Sequence, residues 1–343
     1  MPAPPPPPVD RPLRATGPAG AEPDARALEF KQLRFFVRVV DIGSITRAAQ
    51  ALHIAQPALS KHLADLEHAL NATLLVRSPQ GIVPTEQGRA LYAAAQRILR
   101  EVEAVAGHVA AIGQTPVGSV RMGCLESTAM ALAYPLAVDV MQRYPGVRLV
   151  MVAGQGRDLY RRLIAGDLDL VVLAPDEEIT GVQRRVLVEE ELFIVGSTKL
   201  PGFVEGSTIE VAELAELPFV LPSRTSYSTR SLMRKVFEQH GFEPHTVIES
   251  DALVLVKRLV FEGHGVSVLP WTVVEDGLEA DRVRLKRIAG IPLMRRLELC
   301  RRNDQLPTAA IDSVIDSVLG TVVRLVEAGA WRHATPIASA AWN

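Results

Sequence analysis
Gln56, Ser60 and Lys61 stand at the spacing of one helix face, with Pro57 beside the first of them. Their types suit the reading of duplex DNA. A Gln amide pairs with adenine, a Ser hydroxyl with several bases, and a Lys ammonium with guanine or with phosphate. The apolar residues Leu59, Leu63, Leu66 and Leu70 recur at intervals of three and four, so they face a core and turn Gln56, Pro57, Ser60, Lys61 and Ala64 outward. Pro57 marks the start of this helix, where a missing N–H has no partner to lose.

Other chemistries find little to work with. The chain contains no G-x-S-x-G elbow, no H-E-x-x-H pair and no P-loop, and its eight histidines form no metal-ligand cluster. Gly154-Gln155-Gly156 lacks the third glycine of a dinucleotide fingerprint and reads as a loop. Asp167 with Asp169, Glu189 to Glu191, and Arg295-Arg296 with Arg301-Arg302 are expected on solvated faces. No enzyme, no cofactor and no metal site is therefore expected.

The elements around Gln56 must hold it against a target. Ser44 is a suitable N-cap for a helix from Ile45 to Leu52 with Ile45, Ala48, Ala49 and Leu52 inward, and a turn at His53-Ile54 leads into the second helix. In a helix-turn-helix that second helix enters the major groove. Leu74 to Arg77 and Ile82 to Thr85 flank Ser78-Pro79-Gln80-Gly81 and read as a hairpin wing, with Arg77 placed for phosphates or the minor groove. From this pattern alone a three-helix module for protein contacts accounts for the region equally well.

The stretch GSITRAAQALHIAQPALSKHLADLEHALNATLLVRSPQGIVPTEQG, Gly43 to Gly88, resembles the DNA-binding domain of LysR-type transcriptional regulators, with turn, recognition helix and wing in order. The resemblance extends from Leu28 to about Val326. It implies a DNA face of Thr46, Gln56, Pro57, Ser60, Lys61 and Arg77. Leu75 stands where the family often has Phe, a change within the core.

From Glu86 to Ile112 a helix is expected, with Leu91, Ala95, Ile98, Val102, Val105, Val109 and Ile112 separated alternately by four and three residues. That is the a/d seam of a two-stranded coiled coil, although packing on its own domain is the alternative. The resemblance likewise implies dimerisation through this linker helix, and hence a roughly palindromic operator on double-stranded DNA. It also implies homotetramers on longer sites, with RNA polymerase as a further partner.

Beyond Pro116, short β-rich runs alternate with helices, the pattern of α/β units. The resemblance implies a two-subdomain effector-binding domain like a periplasmic binding protein, over about residues 117–326. Subdomain I is expected at about 117–190 and 293–326 and subdomain II at about 192–289, with crossing strands near Glu191 to Val195 and Arg284 to Ile288. Ligands in such architectures lie in the cleft beyond the strand ends, where helix N-termini present free N–H groups. Candidate effector contacts are Ser127 and Thr128 capping a helix, Arg224 with Ser223 clamping a carboxylate, and Gly265 and Val266 near the hinge. Ordinary caps and a solvated arginine explain the same residues. Together they suggest a small, anionic effector, which Glu126 would repel unless it points away. Cys124 at the expected cleft mouth completes the set, although a small buried residue is the better reading. The segments LESTA and PSR resemble the nitrogen-assimilation control branch of the family, whose members can work without a coinducer.

The chain of 343 residues is 48% hydrophobic and 22% charged, enough for two domains with real cores. Its net charge of −2 requires any DNA-binding surface to be local. Residues 1–27, rich in Pro and Ala, are expected to form a disordered, solvated tail, and residues 331–343 a C-terminal tail. Two cysteines, no signal-like segment and no bilayer-length apolar run fit the cytoplasm, away from membranes.

Overall fold
A computed structural model describes residues 28–78, 81–110, 116–175, 178–201, 203, 206–222, 229–241, 243–337 and 342. The expected N-terminal tail lies outside these. The chain divides into two compact units that meet at Ala106 and Gly107, each considered by itself.

The head begins with α1 (Phe30–Ile42), α2 (Ile45–Ala51) and α3 (Gln56–Ala69), followed by the hairpin β1 (Leu75–Ser78) and β2 (Gly81–Pro84), and by α4 (Glu86–Ala110). Gly43 ends α1 in the left-handed region, and the Ser44 side chain accepts from Arg47 N at 3.4 Å to cap α2. Phe36, Val39, Ala48, Leu59, Leu66 and Leu75 are among the side chains closing the core. Leu75 is 1% exposed, so the smaller residue fills the position without opening it to water. Two close approaches fix the wing and α4. Ile82 N donates to Gly43 O, and a Cβ on Gly81 would lie 2.5 Å from that same oxygen. Thr85 N donates to Leu74 O, and a Cβ on Gly88 would lie 2.0 Å from it.

The expected seam of α4 divides in its task. Leu91 and Ala95 pack into the head's own core, because α1 to α3 leave it open on that side, and Ala95 is fully buried. Ile98, Val102 and Val105 are 41%, 45% and 49% exposed. The side chain of Val109, and Ile112 entirely, lie outside the described residues.

The body continues with β3 (Gly118–Leu125), α5 (Glu126–Arg143), β4 (Val147–Gly154), α6 (Gly156–Ile164), β5 (Leu170–Leu173) and the long β6 (Val182–Ser197). Then come β7 (Thr208–Ile209), α7 (Val211–Ala215), β8 (Phe219–Leu221), α8 (Thr229–Gln239), β9 (Thr246–Glu249), α9 (Leu253–Phe261), β10 (Ser267–Pro270) and α10 (Trp271–Glu279). The chain closes with β11 (Val283–Ile288), β12 (Met294–Arg302), α11 (Ala309–Glu327) and β13 (Ala334–Pro336). Strand β6 belongs to two lobes. Its residues Val182 to Glu191 pair with β12, whereas Leu192 to Ser197 pair with β10 and β11. One lobe carries β4-β3-β5-β12, with β4 and β5 parallel to β3 between them and β12 antiparallel to β5, and the other carries β7 on β11 and the parallel pair β8-β9.

The return crossing differs from expectation. Strand β11 stays wholly in the second lobe, and the chain crosses back at 289–293, where Gly290 turns at φ 71 and Leu192 N donates to Leu293 O. Nor are residues 331–337 a free tail. Trp331 is 1% exposed in the first lobe's core, β13 pairs with Val188 to Glu190 of β6, and Glu191 N donates to His333 O. The exposed edge of β6 needs partners for its backbone groups, and this segment supplies them.

Replacing Gly88 by Ala forces the α4 start away from the Leu74 carbonyl, an overpacking cost of about 1–3 kcal/mol. Urea denaturation of the full chain followed by circular dichroism should resolve an earlier head transition in the variant, with the body transition unmoved.

Candidate nucleic-acid interface and ligand cleft
In the head, Thr46, Gln56, Pro57, Ser60, Lys61 and Arg77 line one concave face between α2, α3 and the wing, a groove enclosing about 1080 Å³. The arrangement follows from α3. Leu59, Leu63 and Leu66 are buried beneath it, which leaves its first turn exposed. Gln56 Nε2 donates to Ser60 Oγ at 2.9 Å, so the two polar groups are already oriented toward one another on the exposed side. Arg47 lines the same groove, and its guanidinium donates to Ile42 O at 2.9 Å. Sequence reasoning passed over it, although its place beside Thr46 in the first turn of α2 was a usable signal. Two carboxylates also reach the groove. Glu67 is engaged in structure, its Oε1 accepting from Leu74 N and Leu75 N at 2.7 and 3.1 Å, which sets the entry to the wing.

In the body, a cleft between the lobes is lined by Glu126, Ser127, Gln155, Asp251, Ser267 and Arg295, among others. The free space is about 70 Å³, far below the roughly 300–1,000 Å³ of pockets that enclose drug-sized ligands. Two hydrogen bonds cross it. Glu126 Oε2 accepts from Leu253 N at 3.1 Å, and Gln155 Nε2 donates to Asp251 O at 2.8 Å. Glu126 therefore points into the cleft rather than away from it.

Ser127 and Thr128 do not cap α5. Leu125 holds the N-cap position and Glu126 opens the helix, so the two hydroxyls fall inside its first turn. Ser127 Oγ instead accepts from Arg295 Nη2 at 2.9 Å. Arg295 and Glu190, expected on solvated faces, are 8% and 2% exposed. They are joined through Arg295 Nε and Glu190 Oε1 at 2.7 Å, while Trp331 Nε1 donates to Glu190 Oε2 at 3.0 Å. Strand pairing at the lobe crossing buries both residues, and each needs the other to offset its lost hydration. Thr128 Oγ1 is buried with no hydrogen-bond partner among the described residues.

The remaining candidates separate. Ser223 and Arg224 lie outside the described residues. Val266 is fully buried in the second lobe's core, and Gly265 lies where a Cβ would meet Pro218 O at 2.6 Å. The next residue, Ser267, is the one that lines the cleft. Cys124 is buried in β3, inside the first lobe's core rather than at a cleft mouth. Burial pushes its thiol up to about 11 and that of Cys300 to about 12. Strand β5 separates the two strands that carry them, which puts the Cα atoms roughly 10 Å apart and past the ~7 Å reach of a disulfide. Among the described residues no His, Cys, Asp and Glu group is arranged to hold a metal, and no helix is long and apolar enough to cross a membrane.

Comparison with known proteins bears on both sites. Residues 30–89 match the bacterial regulatory helix-turn-helix protein model of the lysR family, and residues 113–322 match the LysR substrate binding domain. The chain belongs to the LysR family. Its relatives there are transcriptional regulators rather than enzymes. The nitrogen assimilation regulatory protein nac of Escherichia coli strain K12 is 32% identical over 300 residues, 86% of this chain and 97% of that protein. The protein of the same name from Klebsiella aerogenes is 31% identical over 296 residues, 85% of this chain and 95% of that one. Among solved structures, full-length CbnR complexed with its target DNA has a TM-score of 0.65 at 21% identity, covering 86% of this chain and all 100% of that one. A full-length OxyR variant from Pseudomonas aeruginosa has a TM-score of 0.64 at 21% identity, covering 85% of this chain and 97% of that one. The LysR fold thus comprises the head with its helix-turn-helix and the two-lobed body, and the chain is a DNA-binding regulator with an effector-binding domain.

With burial holding both thiols this high, they stay protonated at pH 7 and are poor nucleophiles. An aromatic disulfide reagent at pH 7 should release almost no chromophore from the native chain and two equivalents after guanidinium is added. Rapid release from the native chain would mean that a thiol is reachable.

Proposed function
We propose that this chain is a sequence-specific regulator that binds a roughly palindromic operator in the cytoplasm as a homodimer, and that its effector cleft works closed on its own side chains. The observation that carries the first part is the groove of Thr46, Gln56, Pro57, Ser60, Lys61 and Arg77, whose donors and acceptors share one exposed concave face. With α3 in the major groove, Gln56, Ser60 and Lys61 meet base edges, and Arg47 and Arg77 meet the backbone on either side. The exposed stripe Ile98, Val102 and Val105 on α4 supports pairing with the same helix of a second copy.

For the cleft, the two hydrogen bonds across it and its small free space favour action without an effector. A second reading, modulation by a small carboxylate, is favoured by the first turns of both α5 and α9 facing the cleft, where backbone N–H groups attract anions.

The deciding experiment is a footprint of the full chain on the DNA upstream of its own gene, with and without a panel of small carboxylic acids at constant ionic strength. A palindromic footprint indifferent to every acid is expected. One that shifts with a single acid transfers the conclusion to the second reading, and no protection of any upstream DNA overturns operator binding. Gln56→Ala should cost about 1–3 kcal/mol of binding and relax preference at one base pair per half-site, whereas Arg77→Ala should weaken all sequences alike and flatten the salt dependence by about one unit per site. Val102→Glu should raise the dimer dissociation constant by about 100-fold or more, since each buried Val is worth roughly 1.5–3 kcal/mol and the symmetric seam holds two. Sedimentation equilibrium reads that change and also separates dimers from tetramers.

A further inference from the structure
We propose that Glu126 is a tethered anion: it caps helix α9 from the opposite lobe, holds the cleft closed, and so excludes free carboxylates from it. The inference rests on the reading above that the cleft works closed, and it assigns that closure to one side chain. Helix α9 lacks the means to satisfy its own start. Ala252 stands at its N-cap and offers no acceptor, and its first turn holds no acid. Ala is among the poorest caps, because the first N–H groups of a helix have no partner within it. The Ser250 hydroxyl takes Ala252 N at 3.2 Å, and the next amide, Leu253 N, is taken by Glu126 Oε2 at 3.1 Å from 127 residues away.

Glu126 is itself the first residue of α5, so its carboxylate lies against the positive ends of two helices at once. Gln155 fastens the same corner through Asp251 O. Arg295, the cation of the cleft, is already committed to Glu190 and Ser127. A free carboxylate entering here finds its N–H donor occupied, its cation spent and a like charge in contact distance. One polar group does remain open to a guest: Ser267 Oγ lines this cleft, belongs to a fully buried residue and has no hydrogen-bond partner among the described residues. With Glu126 removed, the Leu253 amide is left as a free donor in the cleft that Ser267 also lines.

The test uses the full chain, with Glu126→Ala as the vacated variant and Glu126→Gln as the conservative one, whose amide oxygen still accepts from Leu253 N without the charge. Hydrogen exchange over the first turn of α9 is read by mass spectrometry, against sodium acetate and sodium chloride at equal ionic strength. In Glu126→Ala exchange should rise about tenfold, the factor that loss of one cap carries. Acetate should reverse the rise saturably in that variant, have less to reverse in Glu126→Gln, and do nothing in the wild-type chain. Unchanged exchange in both variants, a rise that acetate does not reverse, or a saturable acetate response in the wild-type chain each overturns the proposal. The wild-type footprint is scored separately. If it ignores acids while neither variant alters exchange, the role of Glu126 fails alone, whereas an acid-dependent footprint removes the closed-cleft reading first.

Discussion
Everything in the body depends on β6 being one strand held by two lobes. A strand's side chains alternate with a period of two, and in the second lobe both faces of β6 are buried, Leu192 and Ile194 in one core and Phe193 and Val195 in another, so a slip by one residue would exchange the two sets. Val188 and Ile194, on opposite sides of the crossing, are both fully buried, in different cores. Register is thereby fixed twice over. Relative motion of the lobes is left to the residues at the crossing, and there the strand carries Glu190 and Glu191. Each has an arginine partner from a returning strand: Arg295 for Glu190, and Arg287, at 2.6 and 2.9 Å, for Glu191. The buried pair is also bonded to Ser127 at the cleft and to Trp331, so one connected polar chain runs from the cleft through the crossing.

The head meets a different constraint, economy of a small core. Helix α4 supplies Ala95 to that core and, within three turns, presents Ile98, Val102 and Val105 to solvent. The same helix thus packs into the head's core at one end and offers an apolar stripe farther along. Charge is managed just as locally. The net charge of the chain is −2, yet Arg47, Lys61 and Arg77 share the groove, and Glu67 is turned to backbone donors.

The head was legible in the sequence because its signals are local. Ser44 as a cap, Pro57 in the first turn of α3 and leucines at three and four residues all act over one or two helical turns. The cleft was much less so. Glu126 and Leu253 meet across 127 residues, and Ser127 and Arg295 across 168. No periodicity encodes such a meeting. Runs of like residues misled for a related reason: Arg295 and Glu190 resemble surface charge when read along the chain, and only the pairing of β6 with β12 buries them against one another. The heptad-like seam of α4 was correctly seen as apolar, but a one-dimensional pattern cannot tell a core within the head from a partner outside it.

The position of Trp331 in the chain gives its contact with Glu190 a meaning in time. The two are 141 residues apart, so at roughly 5–20 residues per second Glu190 leaves the ribosome about 7–30 s before the indole that completes its coordination. Through that interval the head, whose elements all precede β6, is free to fold. The body acquires its fastened hinge only later. Maturation of the molecule is therefore ordered by synthesis itself, with the head complete before the element that fastens the lobe crossing.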